Sequence, residues 1–448
     1  MLSLEKRVLL PEDLKPIESL EEYKQLGGLK GLKRARKMPV EKLIAELKAS
    51  GFRGRGGAGF PMAIKWDTVS KDPCPTKYVV CNFSEGEPGT YKDRYITSKN
   101  PYQLLEGMLI SAHAIGACSA IIGIKEKYVY QIERLRKAIR ELEKAKLVEH
   151  KFFEIVLAPN VYLFGEEKAL LEVIDGRTAM PRNFPPFIMG VRYTPTSSNP
   201  TVVNNAESMC HLPHIFSKGA EWYRSLGTED TPGTITITLS GDVKRPGMYE
   251  VEAGLTMRQM LYDLGGGPAG DKPFKAVFSG VANAVATPDL FDTVMDFGSM
   301  RAQGIGLGSA GFMVYDEDTC MVKVALTFAR FLAISSCGQC LPCNMGTRII
   351  TEHLDNLENK LGSEKDIEDI LIECGRCTNQ TRCFLPMQAS IVISSIIKKF
   401  PEEFKYHAGK ECCYSKEVIL PKLKSFDEDQ SQFTYDPPMW EEEFSFVM

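Results

Sequence analysis

Eight of the chain's 13 cysteines fall between Cys337 and Cys413, and three of them form the run Cys337-Gly-Gln-Cys340-Leu-Pro-Cys343. Three thiolates within seven residues converge on one small volume, which is how iron–sulfur cubanes are commonly held. A cubane needs a fourth thiolate, and Cys374, Cys377 and Cys383 are on offer downstream. Structural zinc is the main rival, since four thiolates suit it equally well. A disulfide framework fits least, because the cysteine count is odd and the N-terminal stretch lacks the features of a signal peptide. Cys74, Cys81, Cys118, Cys210 and Cys320 are scattered and read as small buried hydrophobes, and the vicinal Cys412-Cys413 reads as bland.

A second chemistry is suggested by Gly54-Arg-Gly-Gly-Ala-Gly59, four glycines and an arginine in six residues, ahead of Lys65-Trp66. Such a stretch lets backbone N–H groups approach a phosphate closely, with Arg55 and Lys65 as counter-charges. It is neither a Walker loop nor a G-x-G-x-x-G, and taken alone a structural turn explains it as well. Three further polar loops keep it company. Asn82, Glu85 and Glu87 lie on Cys81–Thr90, directly after an apolar run; Gly165-Glu166-Glu167 opens a helix; and Asn204-Asn205 sit in a polar run between ordered segments. Ligands of open α/β sheets bind at the carboxyl ends of strands, so four such loops on one layer point to a single pocket.

The elements that must position these loops are legible from periodicity. Lys77–Asn82, Ser119–Ile124 and Phe153–Ala158 are short apolar runs suited to buried strands. They alternate with the helical patterns Leu104–Gly116 and Arg134–Lys146, which favours a largely parallel sheet. Pro39–Lys48 repeats apolar residues at helical spacing with proline at its start, and the first fifty residues read as a helical arm. From Thr234 the texture changes to period-two alternation, a Gly-Asp-Val-Lys-Arg-Pro-Gly turn, Met248–Val251 and a helix at Thr256–Leu264, a small α+β unit. From about Asp316 the chain is helical with two loops of cysteines, and Ser425–Met448 is an acidic, aromatic tail placed on the surface or against a partner.

Composition bounds the function. The 448 residues carry 54 basic and 58 acidic side chains, a net charge of −4, with 44% hydrophobic residues. That balance supports real cores and argues against nucleic acid as the main partner, which would call for a basic face. The best apolar window, Leu104–Ile124, is interrupted by Glu106 and His113, so no bilayer span is expected. The reading is a soluble, intracellular-type protein.

Taken together the motifs closely resemble the FMN- and NADH-binding flavoprotein subunit of respiratory complex I and the related diaphorase subunits of NAD-linked hydrogenases and formate dehydrogenases. The matching strings are Gly54–Phe60 with Lys65-Trp66, Cys81–Arg94, Gly165–Gly176, Pro185-Pro-Phe, Pro200–Glu207, Ser240–Gly247 and Ser336–Cys343. They come in family order and cover nearly the whole chain from about residue 20 to 405. The resemblance implies a Rossmann-like α/β FMN domain, a ubiquitin-like α+β domain and a C-terminal helical bundle holding one [4Fe–4S] cluster. The corresponding divisions are a helical arm (1–50), the FMN and nucleotide domain (51–229), the ubiquitin-like domain (230–312), the cluster bundle (313–424) and the tail (425–448).

By the same matching, Gly54, Arg55, Gly56, Gly57, Lys65, Asn82, Ser84, Glu85, Tyr162, Gly165, Glu166, Asn204 and Asn205 would line FMN. Phe60, Glu87 and Glu167 would face NADH, and Cys383 would join Cys337, Cys340 and Cys343 as cluster ligand. No acid–base residue is implied: hydride passes directly to the flavin, with Glu166 and Glu167 tuning the site. The implied function is the electron-input flavoprotein of a multi-subunit oxidoreductase, beside a thioredoxin-like [2Fe–2S] subunit and a larger iron–sulfur subunit. It would be cytoplasmic or matrix-side, meeting a membrane only through the complex. The alternatives are a diaphorase subunit of a hydrogenase, formate dehydrogenase or bifurcating complex with altered nucleotide preference, or a relay subunit without NADH oxidation. The chain departs from the family at Ser84 (usually Asp), Lys168, Phe184 (usually Lys), Thr68 (usually aromatic) and Ala158–Val161, with Thr194–Asn199 inserted. Most of these changes fall on the nucleotide side.

Overall fold

Short apolar runs bounded by polar loops become parallel strands, and amphipathic stretches between them become the covering helices. The computed structural model describes residues 4–378 and 381–438, so the end of the acidic tail lies outside the described residues. The chain divides into two units: the first comprises Met1–Glu85, Tyr91–Thr236 and Glu250–Gly254, the second Gly86–Thr90, Ile237–Tyr249 and Leu255–Met448.

In chain order the first unit runs α1 (Leu20–Gln25), α2 (Lys30–Ala35), α3 (Val40–Ala49), α4 (Met62–Ser70), β1 (Tyr78–Phe83), α5 (Lys92–Lys99), α6 (Pro101–Ile115) and β2 (Ser119–Lys125). It continues with α7 (Val129–Lys144), β3 (Phe153–Ala158), a 3₁₀ turn at Tyr162–Gly165, α8 (Glu167–Ile174), β4 (Thr201–Asn205), α9 (Ala206–Lys218) and α10 (Ala220–Arg224). The four strands form one parallel sheet in the order β3-β2-β1-β4. β1 and β2 are buried along almost their whole length, as expected for central strands covered on both faces.

β4 corrects the sequence reading, which left Asn204-Asn205 in a polar run. Thr201-Val-Val-Asn-Asn is a strand paired with β1, its polar end in register with Cys81 and Asn82. α6 is buried nearly all round, which is why its sequence reads as an apolar window. Its one buried carboxylate, Glu106, accepts from the Tyr23 hydroxyl (2.5 Å) and the Leu29 and Leu32 N–H groups (2.7 and 2.9 Å), fastening the N-terminal helices to the sheet domain. Gly107 lets α6 lie against α9: a Cβ there would come within 1.9 Å of the Met209 carbonyl oxygen. A second buried carboxylate, Glu250, accepts from the N–H groups of Val8, Leu9 and Leu10 and from the Thr234 hydroxyl, and burial raises its pKa to about 7.

The chain continues with β5 (Thr234–Gly241) and β6 (Gly247–Glu252), whose residues 237–241 and 247–249 belong to the second unit, then α11 (Met257–Gln259), β7 (Phe274–Ser279), α12 (Phe297–Ala302) and β8 (Gly311–Asp316), with sheet order β6-β5-β8-β7. There follow α13 (Met321–Ile334), α14 (Leu341–Glu358), α15 (Glu364–Arg376), α16 (Leu385–Lys399) and α17 (Pro401–His407), then the hairpin β9 (Leu423–Asp427) and β10 (Gln432–Tyr435). α13 packs on α14 and α16, and α15 on α14 and α16. Among the described residues no helix is long and apolar enough to cross a membrane.

Candidate functional site

The chain leaves β1 for β2 and β3, then returns to the other side of β1 as β4. At such a reversal the connections leave the sheet in opposite directions and open a crevice beyond the strand ends. Here that crevice lies at the carboxyl ends of β1 and β4, where Asn82 is the register partner of Asn205 and Cys81 of Asn204.

Several side chains expected at one pocket are joined there by hydrogen bonds. Asn82 Nδ2 donates to the Gly165 carbonyl at 2.8 Å, and the Ser84 hydroxyl donates to Asn82 Oδ1. Asn205 caps α9 by accepting from Ser208 N–H, and its Nδ2 donates to Asp93 at 2.6 Å. The glycine loop reaches the same corner. Arg55 N–H donates to Ser208 Oγ at 2.8 Å, and a Cβ at Gly56 would sit 3.0 Å from the Asn205 Cβ, so only a residue without a side chain fits without displacing its neighbour. Gly57 adopts φ 119°, and Tyr162 is half-buried in the 3₁₀ turn.

Glu166 caps α8, its carboxylate accepting from Lys168 and Ala169 N–H at 2.9 and 3.0 Å. Burial raises its pKa to about 7 against the opposing pull of Lys168, whose ammonium is 3.8 Å away. Lys65 Nζ bridges Glu167 Oε2 and the Val203 carbonyl, both at 3.0 Å, with the exposed Phe60 ring 6.0 Å from it. Glu166 and Glu167 therefore do not form a simple acidic patch: each carboxylate has a lysine partner, Lys168 and Lys65 respectively.

Three expected site residues have other engagements. The Arg55 guanidinium is buried and donates to the carbonyls of Arg53, Pro232 and Thr234, which makes it a strut for the loop rather than an open counter-charge. Glu85 is buried in an ion pair with Arg94 at 2.6 Å and accepts from Asp93 N–H. Glu87 belongs to the second unit, where its carboxylate accepts from Val281 N–H at 2.7 Å. Of the departures, Thr68 donates to its own helix at Ile64, and Phe184 is about half exposed.

Beneath the crevice lies a charged layer that sequence reasoning missed. Lys92, 1% exposed, pairs with Asp93 (3.0 Å) and Glu207 (2.7 Å) and donates to Asn205 Oδ1. Burial opposes its charge, but Asp93 and Glu207 hold it protonated above its ordinary range. Glu207 Oε1 accepts from Thr236 N–H at 2.9 Å. The signal was the Lys92-Asp93-Arg94 triplet opening a helix, in a segment whose burial periodicity does not reveal.

Asn204 supplies the test of fit for a bound group. It is buried, yet its Nδ2 has no hydrogen-bond partner among the described residues. A buried unmet donor costs about 1–3 kcal/mol, which a bound acceptor would recover. An amide donor, a glycine cradle that a side chain would fill, and the Lys65 ammonium on a neighbouring helix suit a flavin with its phosphate.

In the second unit the cysteine run occupies the connection between α13 and α14. Cys340 caps α14, Pro342 lies in its first turn, and Cys343 is 6% exposed. Ser336 Oγ lies 3.3 Å from Cys343 Sγ, and Gln339 Nε2 donates to Cys337 Sγ. Burial raises the Cys343 thiol, and the Cys337 and Cys340 sulfurs add to the rise, as expected for thiols gathered in one place. Cys377, at the end of α15, is close by: a Cβ at Gly346, one turn into α14, would lie 3.4 Å from its sulfur. Cys383 is half-buried just before α16. This all-thiol donor set fits an iron–sulfur cluster. Of the cysteines read as buried hydrophobes, Cys81, Cys210 and Cys320 are buried, whereas Cys74 is half-buried and Cys118 exposed. Among the described residues no cysteine is in a disulfide.

Comparison with known proteins finds three families along the chain. The Nuo51 FMN-binding domain family matches residues 47–214, the SLBB domain 236–276, and the NADH-ubiquinone oxidoreductase-F iron-sulfur binding region 323–407. The F 2 subunit of the NADH-quinone oxidoreductase of Rhizobium meliloti is 36% identical over 406 residues, covering 88% of this chain and 95% of that one. The HndC subunit of the NADP-reducing hydrogenase of Solidesulfovibrio fructosivorans is 34% identical over 406 residues, covering 88% and 82%. A solved NAD⁺-reducing [NiFe]-hydrogenase in the H₂-reduced state superposes with a TM-score of 0.78 at 30% identity, covering 88% of this chain and 67% of that one.

Proposed function

This chain belongs to the family of NADH-quinone oxidoreductase F subunits and hydrogenase diaphorase subunits, and from that premise we infer how its residues divide the work. It is the electron-input flavoprotein of an NADH-oxidising oxidoreductase, with FMN and a [4Fe–4S] cluster as cofactors. When bound, FMN supplies the conversion from hydride to single electrons, which the cluster carries away one at a time. The observation that carries the site assignment is the buried, unmet Asn204 amide at the carboxyl end of β4, where the strand order reverses beside β1.

Gly54, Gly56, Gly57, Lys65, Asn82, Ser84, Tyr162, Gly165, Glu166, Asn204 and Asn205 line FMN. Arg55 and Glu85 act from behind it, by fixing the loops. Phe60 and Glu167 serve the nicotinamide nucleotide. Cys337, Cys340, Cys343 and Cys383 hold the cluster; the closeness of Cys377 to the first turns of α14 makes it the rival fourth ligand. The domain divisions follow the motifs: a helical arm at 1–50, the Rossmann-like FMN domain at 51–229, a ubiquitin-like domain at 230–312, a cluster-bearing helical bundle at 313–424 and the tail at 425–448. A thioredoxin-like [2Fe–2S] subunit and a larger iron–sulfur subunit are its partners, on the cytoplasmic or matrix side of any membrane.

A second reading concerns the nucleotide. Carboxylates at 166 and 167 repel a 2′-phosphate, but Lys65 neutralises Glu167, and Lys168 together with a pKa near 7 weakens the charge on Glu166. NADPH is thereby tolerated better than two bare carboxylates would allow. Adding NADH or NADPH anaerobically to the flavin- and iron-loaded protein, while following the oxidised-flavin absorption, decides the matter. Bleaching by NADH is the expected result; bleaching by NADPH alone reverses the specificity assignment, and bleaching by neither reduces the chain to a relay.

A further inference from the structure

Four side chains from four separate segments of the second unit meet at a place the flavin and cluster chemistry does not use. Cys320 caps the start of α13, Glu358 is the last residue of α14, His407 is the last residue of α17, and Cys412 lies in the segment that follows. One ligand atom from each lies within 4.8 Å of all the others. His407 Nε2 is 3.4 Å from Cys320 Sγ, and His407 Nδ1 is 3.4 Å from Glu358 Oε2. In a tetrahedral site with metal–ligand bonds of about 2.0–2.3 Å, neighbouring donor atoms are roughly 3.3–3.8 Å apart, so the contact made by whichever ring nitrogen ligates has the length of a coordination edge, while the other nitrogen stays on the neighbouring side chain.

The hydrogen bonding points the same way. His407 is fully buried, and its Nδ1 has no hydrogen-bond partner among the described residues; the same is true of Glu358 Oε2, although the two atoms are close. Glu358 divides its oxygens: Oε1 lies 3.7 Å from the Lys323 ammonium, leaving Oε2 toward the histidine. A buried imidazole nitrogen and a carboxylate oxygen, each without a hydrogen-bond partner and both held beside two thiols, are a costly arrangement unless something bonds them.

We propose that Cys320, Glu358, His407 and Cys412 form a structural Zn²⁺ site, separate from the iron–sulfur cluster. Two sulfurs, one imidazole nitrogen and one carboxylate oxygen suit zinc's borderline softness and four-coordination. Binding displaces the two thiol protons to solvent. Two thiolates and a carboxylate against Zn²⁺ leave one negative charge, which Lys323 offsets. The site closes the end of the α13–α14 pair opposite the Cys337–Cys343 loop, about 20–27 Å away along the two helices. It also ties the chain after α17 to the helices. The same segment is held again at Lys416, which pairs with Asp242 and Asp316 at 2.7 and 2.9 Å.

The test is metal analysis of the intact, anaerobically purified protein alongside Cys412→Ser and His407→Gln variants. About one zinc per chain in the wild type, lost in both variants with iron retained, is the expected result. Zinc that disappears only with Cys337 or Cys340 substitutions would assign it to the cluster loop and overturn the site. A Cys320–Cys412 disulfide found by mass spectrometry in place of metal would overturn it too. Should either variant fail to fold, Co²⁺ titration of zinc-stripped wild-type protein decides: a thiolate-to-cobalt charge-transfer band saturating at one equivalent and displaced by Zn²⁺ supports the site, and its absence sinks it.

Discussion

Glu166 carries the most chemistry for its size. It caps a helix, stands beside a lysine, and is buried enough that its carboxyl titrates near 7 instead of in the usual carboxylate range. Below that pH it is neutral, and above it a negative charge appears beside the proposed nucleotide site. One like charge at a partly screened site is worth about 1 kcal/mol, so KM for NADH should rise roughly fivefold between about pH 6 and about pH 8. Glu166→Gln should flatten that rise while FMN stays bound; an unchanged profile in the variant would place the titration on another group. Residue type misleads most at this scale. Arg55 has the chemistry of a phosphate ligand, and only the carbonyls of Pro232 and Thr234, some 177 and 179 residues away, reveal it as a strut. Cys412 misleads in the other direction, since its proposed partners Cys320, Glu358 and His407 are remote in sequence.

At the scale of elements, β1, β2 and β3 were legible because each is an apolar run of six or seven residues. β4 was not, since two of its five residues are asparagines and a strand that short carries little periodic signal. The helices α6 and α7 showed clear patterns, but what locks α5 and α9 together did not. That lock is Lys92 between Asp93 and Glu207, three buried charges in which removing the lysine takes the shared partner from both carboxylates. Lys92→Met should destabilise the first unit by about 3–5 kcal/mol, seen as flavin release at a temperature lower by roughly 10 °C. A release temperature within a degree or two of wild type would show that the layer contributes little. Gly107→Ala presses the same helix pair from another side, through the Met209 carbonyl.

For the whole molecule, the proposed FMN-lining residues all belong to the first unit and the cluster cysteines all to the second. Cofactor loading should therefore separate. Cys343→Ser and Cys383→Ser should lose iron and the cluster's electron paramagnetic resonance signal while retaining FMN that NADH still bleaches. Cys377→Ser should keep its iron; the opposite pattern at 377 and 383 would exchange their roles. The resemblance carried in the motifs extended to this division, because each cofactor's residues cluster in their own stretch of chain, whereas long-range contacts are invisible in a linear pattern. One such contact bears on how the protein is made. Val8, Leu9 and Leu10 rest on Glu250, a carboxylate 242 positions after Val8. At ribosomal speeds of roughly 5–20 residues per second, that acceptor is synthesised about 12–50 s after the segment it captures. Val8–Leu10 thus wait through the synthesis of 242 further residues for their place, and a stalled or truncated product would leave that stretch open to proteases and chaperones.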